Sequence, residues 1–501
     1  MPRLGLGLGL TMGNILGVSL ASTLADLYVA RVATIPDFVV PSYARVVAGY
    51  EALINAYAVG TKAALETATA MFADPSVSGY VPGAGTLITA GAACARVGNM
   101  AWFDDNSRDL VQTTPLNQPL LLTHTGANYV WLPGVTGNGF STPDNVGNQL
   151  STNFGIEAKI KPSILSALNT VAAKYGSSEA EGNYFFRLDS TNKLQLAIYF
   201  GGNASIYSST VNYPHAVNVQ SFVRVSRNST TGNVMFFTSL NGITYTQLGT
   251  TVAGATGAID YDAVPLRIGA IATSLAQVFS GAIEYVKLFK DDTFTTATQF
   301  FDPTSYNASV SQTTFTVSTG EVYTLNVGTE STGYKLAMVD RTIMQFNGIA
   351  SFLAASSVNR TNVLSQYLVF KTSIASNSGL SFVDSASANY QNSITPEGVN
   401  IKLYMNGSAN GLALAFTNNT LFLITAKNAQ GVLNSLQIKN GTAATNTYTP
   451  ALSGNGIQIG KMSGAFFQQG NMNTYISANQ FDSAPVATAI YNYLKTINAG
   501  I

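Results

Sequence analysis

The stretch that decides the fold is Ser221-Phe-Val-Arg-Val-Ser-Arg-Asn-Ser-Thr-Thr-Gly-Asn-Val-Met-Phe-Phe-Thr238. Residues 222–227 and 233–238 each alternate large side chains with small or polar ones. A period of two is typical of a half-buried antiparallel strand, in which successive side chains point to opposite faces. Residues 228–232 between them are turn-forming, so the two strands are predicted to pair as a hairpin.

More strands are predicted on the C-terminal side of this hairpin. Asn241-Gly242 predicts a two-residue type I′ turn, with positive φ at both positions, leading into a strand over Thr244–Gly249. Leu266–Gly269 and Phe279–Phe289 add two strands. The series Ser221–Lys290 is therefore predicted to form an antiparallel sheet.

The order of these elements resembles the concanavalin-A-like, laminin-G-like jelly roll. Asn241 and Tyr245 stand where that family usually has Asp and Trp. The matching positions are Ser239, Asn241, Gly242, Tyr245, Ile268, Gly269, Phe279, Gly281, Ile283, Val286 and Phe289. Upstream, Tyr129–Asp144 resembles the opening of such modules in bacteriophage structural proteins. The resemblance implies a mainly β fold and a role in a virion.

The second half of the chain repeats this plan. Met344–Leu353 parallels Tyr129–Ser141, and the later strand patterns follow in the same order: Tyr367–Lys371, Leu421–Ala426, Ile457–Lys461 and Phe467–Ile476. Residues 484–497 have a helical pattern. We therefore expect an extended arm at 1–17, a helical anchor and linker at 18–85, and two tandem jelly rolls at 86–302 and 303–501.

The N-terminal region has a different character. Leucine and glycine alternate from Leu4 to Leu10, and five glycines between positions 5 and 17 make a poor apolar helix, so we expect a retained arm, not a signal peptide. Residues 18–35 and 42–73 are predicted helices. Since these helices carry few charges, we expect them to pack on copies of themselves or on a host protein. The alternative is a helical appendage on the adjacent β-domain.

Composition excludes several classes of protein. Lys+Arg and Asp+Glu are each 25, and charged residues are only 10% of the chain. Such a balance attracts neither nucleic acid nor an anionic membrane, and gives little repulsion between copies. The one cysteine, Cys94, forms no intrachain disulfide and is expected to be a buried thiol. No run of about 18 apolar residues predicts a transmembrane helix.

No catalytic residue is predicted, and we expect a protein that is not an enzyme. Glycosidases of this fold need two carboxylates facing one sugar. No such spacing occurs among Glu157, Glu179, Glu181, Glu284, Glu321, Glu330 and Glu397. His124 and His215 lie outside any metal-ligand motif and are expected to be structural. There is no phosphate-binding loop and no nucleophile elbow.

Two weaker sites are considered. Asp144, Asp260 and Asp262 are conceivable calcium ligands, because many laminin-G-like domains bind calcium at one rim, but surface turns are favoured for them. Tyr207, Tyr213 and Tyr245 are conceivable sugar-stacking residues, but packing is favoured. No metal, cofactor or cofactor-binding residue is therefore predicted.

The expected function is a structural virion protein of a tailed phage, made in the host cytoplasm. It would be a capsid-anchored head fibre or decoration protein, a homo-oligomeric dimer or trimer that binds capsid or other virion proteins through residues 1–75. Its jelly rolls would project outward and bind surface glycans weakly. The alternative is a tail fibre or receptor-binding adhesin that recognises host-surface carbohydrate.

Overall fold

The computed structural model describes the following residues: 19–33, 42–73, 80–82, 97–100, 110–111, 119–122, 124, 126–271, 277–306, 313–326, 336–339, 343–347, 353–355, 363–372, 383–384, 393–397, 400–405, 408–416, 421–429, 433–438, 441–446, 457–459, 461–462, 466–467, 469–478, 480 and 482–498. The predicted arm at 1–17, Cys94 and Glu330 lie outside them.

The fold is mainly β, as predicted. The helices are α1 (Leu20–Val32), α2 (Tyr43–Tyr57), α3 (Lys62–Ala68) and α4 (Ala484–Ile497). The strands are β1 (Thr69–Ala73), β2 (Tyr80–Pro82), β3 (Val97–Met100), β4 (Leu110–Val111), β5 (Leu120–Leu122), β6 (Tyr129–Pro133), β7 (Gly139–Thr142), β8 (Phe154–Pro162), β9 (Asn169–Tyr175), β10 (Gly182–Leu188), β11 (Leu194–Phe200), β12 (Asn203–Ser208), β13 (Ser221–Arg227), β14 (Asn233–Ser239), β15 (Thr246–Gln247), β16 (Val252–Ala253), β17 (Leu266–Ile268), β18 (Ser280–Phe289), β19 (Ala297–Phe301), β20 (Thr314–Thr316), β21 (Val322–Asn326), β22 (Ala337–Val339), β23 (Ile343–Asn347), β24 (Leu353–Ala355), β25 (Val363–Thr372), β26 (Val383–Asp384), β27 (Ser393–Glu397), β28 (Asn400–Met405), β29 (Ser408–Ala415), β30 (Phe422–Ala429), β31 (Leu433–Ile438), β32 (Ala444–Asn446), β33 (Ile457–Ile459), β34 (Lys461–Met462), β35 (Phe466–Phe467) and β36 (Gln469–Ala478).

The first jelly roll consists of two antiparallel sheets. One has the order β15-β14-β13-β8-β18-β6-β22, with β16 beside β14 and β19 beside β18. The other has the order β12-β11-β10-β9-β17-β7-β21-β20. Alternate residues of both sheets form one apolar core, which includes Phe154, Tyr184, Val225 and Phe236. The period of two in the sequence is what places these side chains on one face.

The second jelly roll has the same plan. Its sheets run β32-β31-β30-β25-β36-β23-β5, with β1 beside β36, and β2-β3-β4-β24-β33-β26-β27-β28-β29. Most positions in these sheets correspond to one in the first jelly roll, for example β25 to β8 and β36 to β18, whereas β2 is an additional edge strand. The described core includes Leu368, Phe370, Ile424 and Met472. The sequence repeat therefore reflects a repeat of topology.

The structure divides the chain differently from the predicted boundaries of 86–302 and 303–501. One compact unit holds the described residues among 1–85, 95–122 and 342–501, and the other holds those among 123–341. The reason is backbone pairing. Strands β20, β21 and β22 join the first jelly roll, where Phe315 packs 5.9 Å from Phe140, ring centre to ring centre. Strands β3, β4 and β5 join the second.

The helices correct a second prediction. They pack on the second jelly roll of the same chain. Their shared core with α4 and the outer face of one sheet includes Tyr28, Val46, Tyr50, Leu53, Tyr367, Val369, Leu423, Ile476 and Leu494. The helices are therefore an appendage on a β-domain, as in the alternative, but on the second jelly roll and not on the adjacent first one.

The predicted helix at 42–73 also breaks. It ends at Ala58, whose φ is 52°, and α3 begins after Thr61, whose hydroxyl accepts a hydrogen bond from Ala64 N at 3.2 Å. Residues 69–73 form strand β1. No helix among the described residues is long and apolar enough to cross a membrane.

The deciding hairpin is confirmed, but its neighbour differs from the prediction. Strands β13 and β14 pair from Phe222–Ser239 to Arg227–Val234. After β14, Gly242 has a φ of 71°, whereas Asn241 is not in the left-handed region. The loop is therefore not a type I′ turn. It is longer, since the next pair is Thr238–Thr246, and the Asn241 side chain accepts hydrogen bonds from the backbone of Ile243 and Thr244.

Candidate functional site

An open pocket lies on the outer face of the first jelly roll, on strands β9 to β12. Its position follows from the alternation of side chains along β10 and β11. Phe186 and Leu196 point into the core, whereas Phe185, Arg187 and Tyr199 point to the opposite face. The cavity has a volume of about 260 Å³ and is lined by Tyr175, Glu179, Phe185, Arg187, Tyr199, Ala204, Ile206, Ile271 and Gln277.

Aromatic side chains line the pocket, but Phe185 and Tyr199 are buried in a small apolar cluster, and Tyr175 is the ring that remains partly exposed. The rings of Tyr175 and Tyr199 lie 5.5 Å apart, centre to centre, and are tilted by 49°. Tyr199 lies close against β10 because residue 182 is glycine. A Cβ at that position would come within 2.6 Å of the Tyr199 ring. Gly182 therefore sets the depth of this side of the pocket.

Arg187 is the cation of the pocket, and it is held in place by neighbours. Its guanidinium carbon lies 4.5 Å from the centre of the Phe185 ring, a stacking distance. Nε donates to Gln195 Oε1 at 2.7 Å, and Nη1 donates to Gln277 Oε1. Gln195 is in turn fixed by donating to Ser208 Oγ at 3.0 Å. The hydrogen bonds of Arg187 to other described residues thus involve Nε and Nη1.

Burial controls the protonation of the pocket side chains. Desolvation lowers the pKa of Arg187, and the Coulomb interaction with Asp189 acts in the opposite direction. Desolvation raises the pKa of Tyr199, and it raises that of Tyr175 together with the charges of Glu179 and Glu181. Both tyrosines are therefore neutral hydroxyl groups at ordinary pH, able to donate and accept hydrogen bonds.

The conceivable calcium ligands Asp144 and Asp260 have separate partners, while Asp262 lies near enough to Lys174 and Tyr261 to interact with them electrostatically and donates its backbone N–H to Asn183. Asp144 accepts hydrogen bonds from Lys174, Gln149 and Tyr261, and Asp260 accepts from the backbone nitrogens of Gly201 and Gly202. The described part of the chain has no group of three acidic, His or Cys side chains that could hold a metal ion.

A lysine ammonium occupies the oxygen-lined position beside Asp144. Lys174 is fully buried, and its Nζ donates to Asp144, to Asn148 Oδ1 at 3.1 Å and to the Val264 carbonyl at 3.0 Å. Desolvation lowers the pKa of Lys174, against the effect of Asp144. For Asp144, desolvation acts to raise the pKa, but hydrogen bonds from Lys174, Tyr261 and Gln149 lower it overall. The local cation at this rim is thus a side chain.

The three candidate stacking tyrosines do not form a groove, so packing is the correct interpretation for them. Tyr213 is buried and bonded to Ser221, and Tyr207 packs against the core. The Tyr245 ring covers Arg224, whose guanidinium carbon lies 3.5 Å from its centre.

The two histidines have structural neighbours. The ring of His215 meets that of Tyr213 edge-on at 5.1 Å. His124 Nε2 lies 3.2 Å from Asn128 Oδ1.

Sequence reasoning missed the pocket itself. A signal is present at Phe185-x-Arg187 and Gln195-x-x-x-Tyr199, where outward-facing strand positions carry aromatic and planar polar side chains. These positions face away from the main core but are themselves mostly covered, with Phe185 4% and Tyr199 2% exposed. Finding the pocket also requires the pairing of β9 with β10 and of β10 with β11, which the pattern alone does not give.

Comparison with known proteins gives only distant structural similarities. No family model and no curated protein matches the chain. A solved structure of the mouse laminin α1 chain, domains LG4-5, is 10% identical, with a TM-score of 0.29, covering 74% of this chain and 96% of that one. The LG1-3 region of the laminin α2 chain is 10% identical, with a TM-score of 0.28, covering 72% and 64%. A putative carbohydrate binding protein from Bacteroides ovatus is 15% identical, with a TM-score of 0.30, covering 43% and 61%. The strand order itself shows that the chain carries two antiparallel jelly-roll sandwiches of closely similar topology.

Proposed function

We propose that the protein binds glycans, and that the pocket on the outer face of the first jelly roll holds the sugar. The observation that carries this proposal is the combination of Tyr175, Phe185 and Tyr199 with Arg187 in one open pocket. Sugar rings have apolar faces that pack on aromatic side chains, and hydroxyl groups that accept hydrogen bonds from a fixed guanidinium.

The size of the pocket limits the ligand. Its volume of about 260 Å³ lies just below the roughly 300 to 1,000 Å³ of pockets for drug-sized ligands. One or two sugar units fit, and the rest of a glycan chain would extend into solvent. A site of this size gives weak binding, so several copies presented together would add avidity.

The experiment measures binding of the full chain to a glycan panel, followed by titration calorimetry with the best ligand. We expect Tyr199→Ala and Arg187→Ala each to weaken binding at least about tenfold, equivalent to 1.4 kcal/mol. Tyr285→Ala is the matched control, because Tyr285 lies on strand β18, in the other sheet of the same jelly roll. Unchanged binding by both pocket variants would refute the site.

We further propose that binding occurs without hydrolysis. Glu179 is the carboxylate among the residues lining the pocket, and glycoside hydrolysis by the usual routes uses a pair. Glu157 does not line this pocket. It accepts hydrogen bonds from Arg224 at 2.5 Å and from Tyr285 at 2.7 Å. Release of reducing ends from the bound glycan that stops in a Glu179→Gln variant would contradict this.

For the wider role, we propose a structural protein of a tailed-phage particle, a head fibre or decoration protein, with a tail fibre as the alternative. The support is the resemblance of Tyr129–Asp144 to phage modules, and the low charge of the chain. Attachment through residues 1–75 has lost part of its basis, because α1 and α2 already have an intrachain partner. Antibody labelling of intact particles tests the proposal: label on the head supports it, label on the tail tip supports the alternative, and unlabelled particles refute both.

A further inference from the structure

Three chemically complementary side chains meet in the first jelly roll, where strand β9 contacts the connection between β7 and β8. The Nζ atom of Lys174, on β9, donates to Asp144 and to Asn148 Oδ1, the latter at 3.1 Å. Asp144 and Asn148 both belong to the connection. A primary amine therefore contacts a carboxylate and a carboxamide at the same time.

The amine and the carboxamide are shielded from solvent. Lys174 and Asn148 are each 0% exposed, whereas lysine side chains are almost never fully buried unless they are paired. The centre of the Tyr261 ring lies 5.5 Å from Nζ, and the Val264 carbonyl accepts a hydrogen bond from Nζ at 3.0 Å. These contacts hold the Lys174 amine in one place, against Asn148.

Hydrogen bonds also fix the carboxamide of Asn148 and polarise its carbonyl group. Its Oδ1 accepts from the backbone nitrogen of Asn145 at 3.3 Å as well as from Lys174. Its Nδ2 donates to the Pro143 carbonyl at 3.0 Å. A backbone N–H directed at a carbonyl oxygen stabilises the negative charge that develops there when a nucleophile attacks the carbon. The Cγ atom of Asn148 is therefore the electrophile of this cluster.

We propose that Lys174 and Asn148 become joined by an amide bond between their side chains, with Asp144 as the base. The Asp144 carboxylate takes a proton from the ammonium, and the amine attacks Cγ of Asn148, so that the Nζ–Cγ bond forms. Asp144 passes protons from Nζ to Nδ2, and the Cγ–Nδ2 bond breaks. Overall one ammonium ion leaves, the new amide is neutral, and Asp144 is again a carboxylate. Atoms and charges balance without an oxidant or a further reactant.

The charges of the ion pair make this reaction slow. Desolvation lowers the pKa of Lys174, which favours the reactive amine, but Asp144 and Asp262 act in the opposite direction. For Asp144, desolvation acts to raise the pKa, but hydrogen bonds from Lys174 and Tyr261 lower it overall, so the carboxylate is ionised and able to accept a proton. The ion pair is thus the state of the freshly folded chain, and the amide forms from it with time.

The bond ties β9 to the connection that leads from one sheet of the jelly roll to the other. Strand β7 lies in the same sheet as β9, and β8 lies in the opposite sheet. The bond closes residues 148–174 into a loop, which restricts the unfolded chain in the way that a disulfide does. Because Cys94 is its one cysteine, the chain has no intrachain disulfide, and an amide is a crosslink that its composition allows.

Mass spectrometry of the full chain tests the proposal. During incubation at neutral pH, the wild-type mass should fall by one ammonia. A trypsin digest should then contain a branched peptide that joins residues 148 and 174. Lys174→Arg keeps the charge but lacks the amine, and Asp144→Asn lacks the base, so neither variant should give the branched peptide. The wild-type result needs no variant to fold.

An internal control comes from a second lysine–carboxylate contact. Lys159 Nζ donates to Glu284 at 2.5 Å, and Gln220 Nε2 donates to the same carboxylate at 2.6 Å, but Gln220 is exposed. No branched peptide should join these residues. A wild-type chain that keeps its full mass after several days overturns the proposal. So does ammonia loss that leaves Lys174 open to trypsin, which indicates a succinimide, or loss of water with a bond at Asp144, which makes Asp144 the electrophile.

Discussion

The guanidinium carbon of Arg187 lies 4.5 Å from the centre of the Phe185 ring, while Nε of the same side chain donates to Gln195 at 2.7 Å. The ring fixes the plane of the guanidinium, and the amide fixes its rotation. Arg187 is thus positioned before any ligand arrives. Pre-organisation of this kind reduces the conformational cost of binding.

Replacing Arg187 by lysine should separate geometry from charge. Lysine keeps the positive charge but lacks the planar fork that stacks and donates in fixed directions. We expect R187K to lose glycan affinity by about tenfold or more, with the unfolding midpoint little changed. Arg224→Lys is the control, because Arg224 also stacks on a ring, that of Tyr245 at 3.5 Å, in the other sheet. Equal losses in the two variants would indicate a general effect on folding.

The buried ammonium of Lys174 should be a large contributor to the stability of the first jelly roll. Lys174→Met leaves Asp144, Asn148 and the Val264 carbonyl without their shared donor. We expect a cost of about 3 kcal/mol, at the low end for a broken buried ion pair because Asp144 is partly exposed and can be hydrated. Asp144→Asn keeps an oxygen acceptor and should cost less. Denaturant unfolding measures both, and a Lys174→Met variant as stable as wild type would refute the assignment.

Calcium provides an independent check of the same rim. Because the Lys174 ammonium already lies among the Asp144, Asn148 and Val264 oxygens, wild-type stability should not respond to added calcium or to a chelator. A shift of the thermal midpoint with calcium that is lost in Asp144→Asn would contradict this prediction.

Substitution of Gly281 tests whether the glycines in the jelly-roll motif are needed for their backbone conformation and their lack of a Cβ. Its φ is 131°, and a Cβ there would lie 2.2 Å from the Lys161 carbonyl oxygen. We expect Gly281→Ala to cost about 3 kcal/mol or more, from strain and a backbone clash. Gly257 has a φ of 89° and open space around the Cβ position, so Gly257→Ala carries the strain alone, about 1 kcal/mol. Similar costs for both would show that the clash is relieved.

The sequence predicts the elements better than their partners. The alternation at residues 222–227 predicts a strand, and the repeat of that pattern at 421–426 predicts a second jelly roll, because burial of one sheet face requires that period. Alternation is the same whichever strand lies alongside, so it does not tell that Leu121 pairs with Met344 and not with Val130.

The candidate site depends on the same missing information. Tyr175 and Tyr199 are neighbours only because β9 and β11 both flank β10. The partner of the helical region was not predicted for a related reason. An apolar helix face indicates that a partner exists, and the sequence gives no indication that the partner is the outer face of a sheet containing Tyr367 and Ile476.

Asp482 should make the stability of the second unit pH-dependent. It is buried, and accepts hydrogen bonds from Tyr367 at 2.6 Å and Tyr57 at 3.2 Å. Desolvation raises its pKa, although Tyr367, Gln480, Tyr57 and Lys427 act to lower it. A raised pKa in the folded state means that the stability contribution is complete below the ordinary pKa of 3.8 and is lost as pH rises through the folded value.

In the Asp482→Asn variant the side chain cannot ionise, so the variant does not lose stability as the pH rises. The difference in unfolding midpoint between this variant and the wild type should therefore increase, in favour of the variant, from about pH 3 to about pH 7. Asp291→Asn is the control of opposite sign. Hydrogen bonds from Thr293 and Thr295 hold the pKa of Asp291 below its ordinary value, against desolvation, so this variant should become relatively less stable over the same range. A flat profile for Asp482→Asn would contradict the raised pKa.

Removal of residues 1–75 decides what the helices are for. The deletion takes away α1, α2, α3 and β1 and exposes Tyr367, Val369, Leu421, Leu423 and Ile476, all now buried. We expect the calorimetric transition of the second jelly roll to be lost or lowered, and the truncated chain to aggregate, because a contiguous apolar face is left in water. The transition of the first jelly roll should remain.

Single substitutions test the same packing without truncation. Leu53→Ala, at a fully buried position of α2, should cost about 3 kcal/mol of stability. Leu27→Ala, at a position of α1 that is 44% exposed, should cost less than about 0.5 kcal/mol. A truncated chain that stays soluble and monomeric, with both transitions intact, would instead support the sequence-based expectation that residues 1–75 serve an external partner.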